Sequence, residues 1–104
     1  MSDIENLESM LANGQDNALI RFAMGNAFIK YGKYTEAIKH LSQAVKFDPG
    51  YSAAWKLYGR ALTENGDIEG AIEIYKKGIA VAEQKGDIQA VKEMRVFLKR
   101  LKPN

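Results

Sequence analysis

Apolar residues recur at spacings of three and four along most of the chain, and this pattern pauses at short polar stretches that contain glycine. Such spacing is typical of amphipathic α-helices, which bury one stripe of side chains and expose the opposite face. One such helix carries Leu19, Phe22, Met24 and Phe28, and Gly32 follows it. The pattern therefore predicts an all-α protein of about six helices.

The helical pattern is repeated along the chain. Residues 18–51 and 52–85 align without gaps, so the second block begins 34 positions after the first. Each block resolves into two helices, an A helix followed by a B helix, and the predicted repeating unit is a helical hairpin. The best matched pairs at this offset are Gly25 with Gly59, Gly32 with Gly66, Ala37 with Ala71, and Ile38 with Ile72.

Particular residues mark the predicted turn inside each hairpin. Gly32 and Gly66 follow the A helices, where a left-handed residue ends a helix without a steric penalty. Thr35 and Asp67 follow these glycines and are predicted to cap the B helices, since their side-chain oxygens can accept from free backbone N–H groups.

Two further glycines, Gly25 and Gly59, lie in the middle of the A helices. A glycine there costs about 1 kcal/mol relative to alanine, so its presence needs a compensating role. We expect each glycine to let its helix approach the B helix closely, opposite Ala37 in the first hairpin and Ala71 in the second.

The two ends of the chain repeat only half of the hairpin. The first helix matches a B helix, and the last helix carries Glu93 where the A helices have glycine. We expect these end helices to cap the apolar faces of the hairpins, and we expect Pro103 to end the last one. The predicted single domain, residues 1–104, consists of an N-terminal capping helix (3–13), repeat 1 (18–51), repeat 2 (52–85) and a C-terminal capping helix (87–102).

The repeat length and its residues resemble the tetratricopeptide repeat (TPR) family. The family pattern WxxLGxxY matches Trp55, Tyr58, Gly59 and Leu62, and more loosely Arg21, Met24, Gly25 and Phe28. The sequence departs from it at Glu83, where the family has proline, so the second B helix is expected to extend toward Gln84. The resemblance implies a short right-handed superhelix of antiparallel hairpins, a scaffold whose A helices line a concave groove for a peptide or helix of another protein.

Given that resemblance, the groove residues are predicted to be those displaced by one or two positions from the packing face of each A helix. They combine apolar side chains with three cations, which suits a partner segment with apolar anchors and either acidic groups or a free C-terminal carboxylate. Phe22 is expected either to anchor the partner or to belong to the core. The predicted groove residues are Leu19, Phe22, Asn26, Ile29, Lys30, Lys56, Arg60 and Thr63.

Composition narrows the function further. The chain has no cysteine, which excludes disulfides and thiolate chemistry and suits a reducing compartment. Its acidic, polar N-terminus does not resemble a secretory signal, and no stretch is apolar enough to span a membrane, so we predict a cytoplasmic protein. The net charge of +2 does not by itself indicate nucleic-acid binding.

Candidate catalytic and metal-binding groups are sparse. His40 is the only histidine and has no partner motif, so we interpret it as a surface residue. Glu69 and Glu73 precede Lys76 and Lys77, as on a solvated helix face. We therefore expect a protein that is not an enzyme, with neither cofactor nor metal.

The charges of the first and last helices leave two other functions open. Lys92, Arg95, Lys99 and Lys102 form a basic stripe on the last helix, which could weakly bind an anionic surface. The acidic first helix and the basic last helix could also associate head to tail. We nevertheless predict a monomer or at most a weak dimer, with a protein partner and with neither nucleic acid nor membrane as a partner.

Overall fold

The computed structural model describes residues 2–102, which form six α-helices. Residues 2–102 contain no β-strand, so the predicted all-α fold is confirmed, whereas Pro103 lies outside the described residues. None of the described helices is long and apolar enough to cross a membrane. The helices are α1 (Ser2–Ala12), α2 (Ala18–Lys30), α3 (Tyr34–Phe47), α4 (Ser52–Glu64), α5 (Ile68–Lys85) and α6 (Ile88–Leu101).

The helices stack in chain order. The most extensive contacts join α2 to α3 and α4 to α5, which are the two predicted hairpins, while α1 packs against α2 and α6 against α5. The stack is elongated, with dimensions of 46 × 28 × 18 Å. Helix α5 continues through Glu83 to Lys85, since no proline interrupts it.

The stack is curved, and the contacts between alternate helices give the direction of the curvature. Helix α2 contacts α4 and α4 contacts α6, so the A helices lie close together on one side. On the other side, no described Cα atom of α3 lies within 8 Å of a described Cα atom of α5. The side formed by α2, α4 and α6 is therefore the concave face.

Gly25 and Gly59 allow close packing within the hairpins, although their neighbours differ from the prediction. A Cβ atom on Gly25 would lie 2.5 Å from Cδ2 of Leu41, and one on Gly59 would lie 2.6 Å from Cζ of Tyr75. The sequence predicted the alanines of the B helix opposite these glycines, whereas the atoms nearest to an added Cβ belong to Leu41 and Tyr75. The glycines therefore leave room for these large side chains between the helices.

The turns show why one predicted cap is present and the other is absent. Gly32 and Gly66 have φ angles of +71° and +83°, as predicted for left-handed residues. Asp67 caps α5, because its Oδ1 atom accepts a hydrogen bond from the N–H of Gly70 at 2.9 Å. Thr35 does not cap α3, since that helix already begins at Tyr34 with Lys33 in the N-cap position.

Candidate binding groove

The concave face contains a pocket of about 480 Å³ between α4 and α6, with α5 behind it. Apolar side chains from all three helices line it: Leu57 from α4, Tyr75 from α5, and Phe97 and Leu101 from α6. The rings of Tyr75 and Phe97 pack against each other with their centroids 5.8 Å apart. The pocket therefore offers an aromatic and aliphatic surface to an apolar group of a ligand.

Polar residues from α4 and α6 complete the pocket. Lys56 donates a hydrogen bond from Nζ to Oε1 of Glu93 at 3.1 Å, which links α4 to α6. The Thr63 hydroxyl donates to the backbone carbonyl of Gly59 at 2.8 Å, so its position is fixed by its own helix. The charge of Lys56 is thus largely neutralised within the protein.

The two pocket arginines differ from this lysine. Arg60 and Arg100 are both exposed and both line the pocket. No carboxylate of residues 2–102 lies within 4.0 Å of either guanidinium group, although Glu64 lines the same pocket. These arginines can therefore pair with a ligand without first breaking an internal ion pair.

Tyr75 lies at the buried side of the pocket, with only 3% of its surface exposed. Burial raises the pKa of its phenol group, while the nearby Thr63 hydroxyl and the positive charge of Arg60 oppose this shift. The phenol is therefore neutral at physiological pH and keeps an O–H group that can donate or accept a hydrogen bond.

The groove residues predicted in the second repeat lie together. Lys56, Arg60 and Thr63 all line the pocket. Their i, i+4 and i+7 spacing places them on one face of α4, toward α6.

The groove residues predicted in the first repeat do not form a comparable pocket. Leu19, Asn26 and Lys30 are exposed, and Lys30 lies 3.7 Å from the carboxylate of Asp3 on α1. Phe22 is half-buried and stacks on Tyr51, with ring centroids 4.9 Å apart. The aromatic surface of this half is thus largely occupied by contacts within the protein.

Ile29 requires a correction to the predicted groove. Its side chain is only 7% exposed and belongs to the core cluster that includes Ile4 of α1. The prediction treated the first A helix as free on its groove side and did not allow for burial of this position. We therefore leave Ile29 out of the candidate site.

Several pocket residues were not predicted from the sequence. Phe97, Arg100 and Leu101 were overlooked because the last helix was treated only as a cap. A signal for one of them was present, since Phe97 lies 34 positions after Thr63 and therefore occupies the equivalent position of an A helix. Leu57 and Tyr75 were also not among the predicted groove residues.

The predicted surface histidine is in fact half-buried. His40 stacks on Phe28, and its Nδ1 atom lies 3.0 Å from Nη1 of Arg21, which also forms an ion pair with Asp16. An arginine can only donate, so Nδ1 accepts and the ring proton lies on Nε2. Burial, Arg21 and Lys39 lower the pKa of His40.

The other charged groups of the described residues offer weaker candidate sites. Arg95, in the basic stripe of α6, forms an ion pair with Glu83 at 2.6 Å, so its positive charge is already paired within the protein. Within residues 2–102, no group of three or more histidine, cysteine, aspartate or glutamate side chains is arranged to hold a metal ion. The pocket between α4 and α6 is therefore the strongest candidate site.

The chain is similar in sequence to known proteins. The family model of the tetratricopeptide repeat matches residues 28–94. The TPR repeat-containing protein PA0015 of Pseudomonas aeruginosa is 49% identical over 98 residues, which cover 94% of this chain and 93% of that protein. The small glutamine-rich tetratricopeptide repeat-containing protein 2 of Mycosarcoma maydis is 38% identical over 55 residues, covering 53% of this chain and 16% of that protein.

Solved structures resemble the fold closely. The solution structure of protein BPP2914 from Bordetella parapertussis matches with a TM-score of 0.83 and 46% identity, covering 94% of this chain and 85% of that one. A tetratricopeptide repeat domain protein from Salinibacter ruber, also solved in solution, matches with a TM-score of 0.77 and 21% identity. That match covers 84% of this chain and 88% of the other, and it supports the fold alone.

Proposed function

Because the chain belongs to the tetratricopeptide repeat family, whose repeats generally mediate protein–protein interactions, we propose that it binds a segment of a partner protein on its concave face. The segment is a short peptide or a helix, and its main anchor enters the pocket between α4 and α6. The protein then acts as a scaffold or adaptor and needs neither cofactor nor metal for this role.

The observation that carries this proposal is the pocket itself. Its volume of about 480 Å³ falls in the range of small ligand sites, and it is large enough for one bulky side chain. Its surface combines an apolar floor with a few polar groups, as recognition sites usually do. Sequence periodicity and geometry agree in the second repeat, since the predicted groove residues Lys56, Arg60 and Thr63 all line the pocket.

The same proposal covers location and assembly. A protein without cysteine fits the reducing cytoplasm, and we place it there. We propose that it binds its partner as a monomer, with residues 18–51 and 52–85 as the two repeats. A light-scattering mass of more than one chain, unchanged on dilution, would contradict the monomer.

A pocket-filling substitution tests the function without altering charge. Thr63→Trp adds a large ring at the pocket, and Ala80→Trp adds the same ring at an exposed position of α5, away from the pocket. Each variant and the wild type serve as bait in an affinity purification from lysate, followed by mass spectrometry. Matching circular dichroism spectra and melting temperatures are required of all three.

The two variants should behave differently. We expect Thr63→Trp to lose at least one protein that both the wild type and Ala80→Trp retain, because a filled pocket excludes the partner's anchor. If Thr63→Trp retains every protein that Ala80→Trp retains, the pocket is not the binding site.

A further inference from the structure

We propose that the pocket between α4 and α6 selects an acidic segment, in which one large apolar residue is flanked by glutamate or aspartate. This inference rests on the proposed function and specifies the partner's chemistry. The apolar residue fills the pocket, and a neighbouring carboxylate binds Arg60 and Arg100.

The distribution of arginines supports an acidic partner. The chain contains four arginines, and two of them are used in ion pairs within the protein. These are Arg21 with Asp16, and Arg95 with Glu83. The other two, Arg60 and Arg100, lack such a partner among residues 2–102, and both line the pocket between α4 and α6. A guanidinium group matches a carboxylate through two parallel hydrogen bonds, so an unpaired arginine is well suited to bind one.

The local charge balance points the same way. Lys56 and Glu93 neutralise each other at 3.1 Å, which leaves Arg60 and Arg100 against Glu64. The remaining charge is positive, so the pocket attracts an anionic segment and repels a cationic one. Glu64 disfavours a carboxylate on its own side, which directs the incoming group toward the arginines.

The apolar lining requires an anchor as well as a charge. Leu57, Phe97 and Leu101 are partly exposed in the pocket and would gain little from a purely polar peptide, whereas an aromatic or large aliphatic side chain would displace water from them. Tyr75 and Phe97 already pack with their planes tilted by 43°, and a third ring can extend this cluster. Apolar and acidic features are therefore both needed in one segment.

Three peptides capped at both ends distinguish these contributions. The first has one phenylalanine flanked by two glutamates on each side. The second replaces the glutamates with glutamines, and the third replaces the phenylalanine with alanine. Each is titrated into the ¹⁵N-labelled full chain, and Kd is obtained from the amide shifts of Arg60, Thr63 and Phe97. We expect the first peptide to bind about 10-fold more tightly than either of the others. The glutamine peptide loses charge-assisted hydrogen bonds, which are roughly twice as strong as neutral ones, and the alanine peptide loses the apolar ring that fills the pocket.

Matched variants test the role of the arginines. In the double variant Arg60→Gln/Arg100→Gln, the preference for the glutamate peptide over the glutamine peptide should fall to less than about 2-fold. The reason is that the new side chains at positions 60 and 100 carry no charge. Arg95→Gln should keep the preference, since Arg95 lies on α6 but outside this pocket. The preference of the wild type should also decrease as salt is added.

Any of three other results would overturn the inference. If the glutamine peptide shifts the same amides with an equal Kd, the acidic preference is wrong while peptide binding in the pocket stands. If no peptide shifts these amides at about 1 mM, a concentration at which weak complexes form, the inferred chemistry is wrong. The Thr63→Trp purification then decides the proposed function separately. If the wild type dimerises and the double variant abolishes the dimer, the occupant is a second copy of the chain instead.

Discussion

The helices at the two ends, α1 and α6, are both half-repeats, yet they contribute very differently to the protein. Of the side chains described in α1, only Ile4 is buried, and the carboxylate of Asp3 is held by the Tyr31 hydroxyl at 3.1 Å. Helix α6 buries Ala90, Val91 and Met94 and also lines the candidate pocket.

The difference follows from the position of each helix in the repeating unit. Helix α1 corresponds to a B helix, and B helices lie on the convex side of the curved stack. Helix α6 corresponds to an A helix, and contacts between successive A helices form the concave face. The two ends therefore differ because one incomplete repeat extends the groove and the other does not.

Removing one end helix should be far more damaging than removing the other. A variant lacking residues 86–104 loses the cover over Tyr75 and Gly78, and we expect no cooperative urea transition, because total stability is usually only about 5–15 kcal/mol. A variant lacking residues 1–12 should still unfold cooperatively, with a loss of about 2–5 kcal/mol, comparable to truncating one large buried residue such as Ile4. Urea titrations followed by circular dichroism would measure both, and equal losses would refute the comparison.

Gly59 and Glu93 occupy equivalent positions and should respond differently to alanine. Gly59→Ala places a Cβ against the Tyr75 ring and should cost about 2 kcal/mol, since overpacking outweighs the gain in helix propensity. Glu93→Ala removes only a half-exposed ion pair with Lys56 and should cost less than about 1 kcal/mol. The free energies of unfolding in urea provide the test, and a larger cost at Glu93 would contradict it.

The end of the stack near α1 should also show a small pH dependence. The pKa of His40 is lower in the folded protein than its ordinary value of 6.5, so the unfolded chain binds more protons in this range. The contribution of neutral His40 is complete above pH 6.5 and decreases as the pH falls toward its folded pKa.

We therefore expect the wild type to be less stable at pH 5.5 than at pH 7.5. The variant His40→Gln, measured by urea unfolding at the same two values, should lose less stability between them. An equal loss in wild type and variant would show that His40 is not responsible.

Most of the fold could be predicted from the sequence, because the apolar spacing of the helices and the glycines of the turns both recur 34 positions later. Gly32 and Gly66 illustrate this, since a left-handed turn strongly favours glycine. The prediction failed at one helix boundary and where side chains of two helices meet. Thr35 had a suitable side chain for a cap, but the helix began one residue before it. The neighbours of Gly25 and Gly59 depended on which side chains of the B helix point into the gap.

The candidate site was predicted only in part. Lys56, Arg60 and Thr63 lie on one face of a single helix, so their proximity follows from helical spacing alone. Ile29 satisfied the same rule but is buried in the core cluster with Ile4. Phe97 was missed because its role depends on how α6 packs beside α4.

The sequence by itself determined the repeat, the helices and the turns, since these depend on interactions within a few positions along the chain. Only the tertiary structure decided which cations are paired and which apolar side chains remain accessible. Lys56 and Arg60 look alike as sequence, yet Lys56 is matched by Glu93, 37 positions away, and Arg60 is left facing the pocket. Charge pairing and burial depend on distances in space, which local periodicity does not specify.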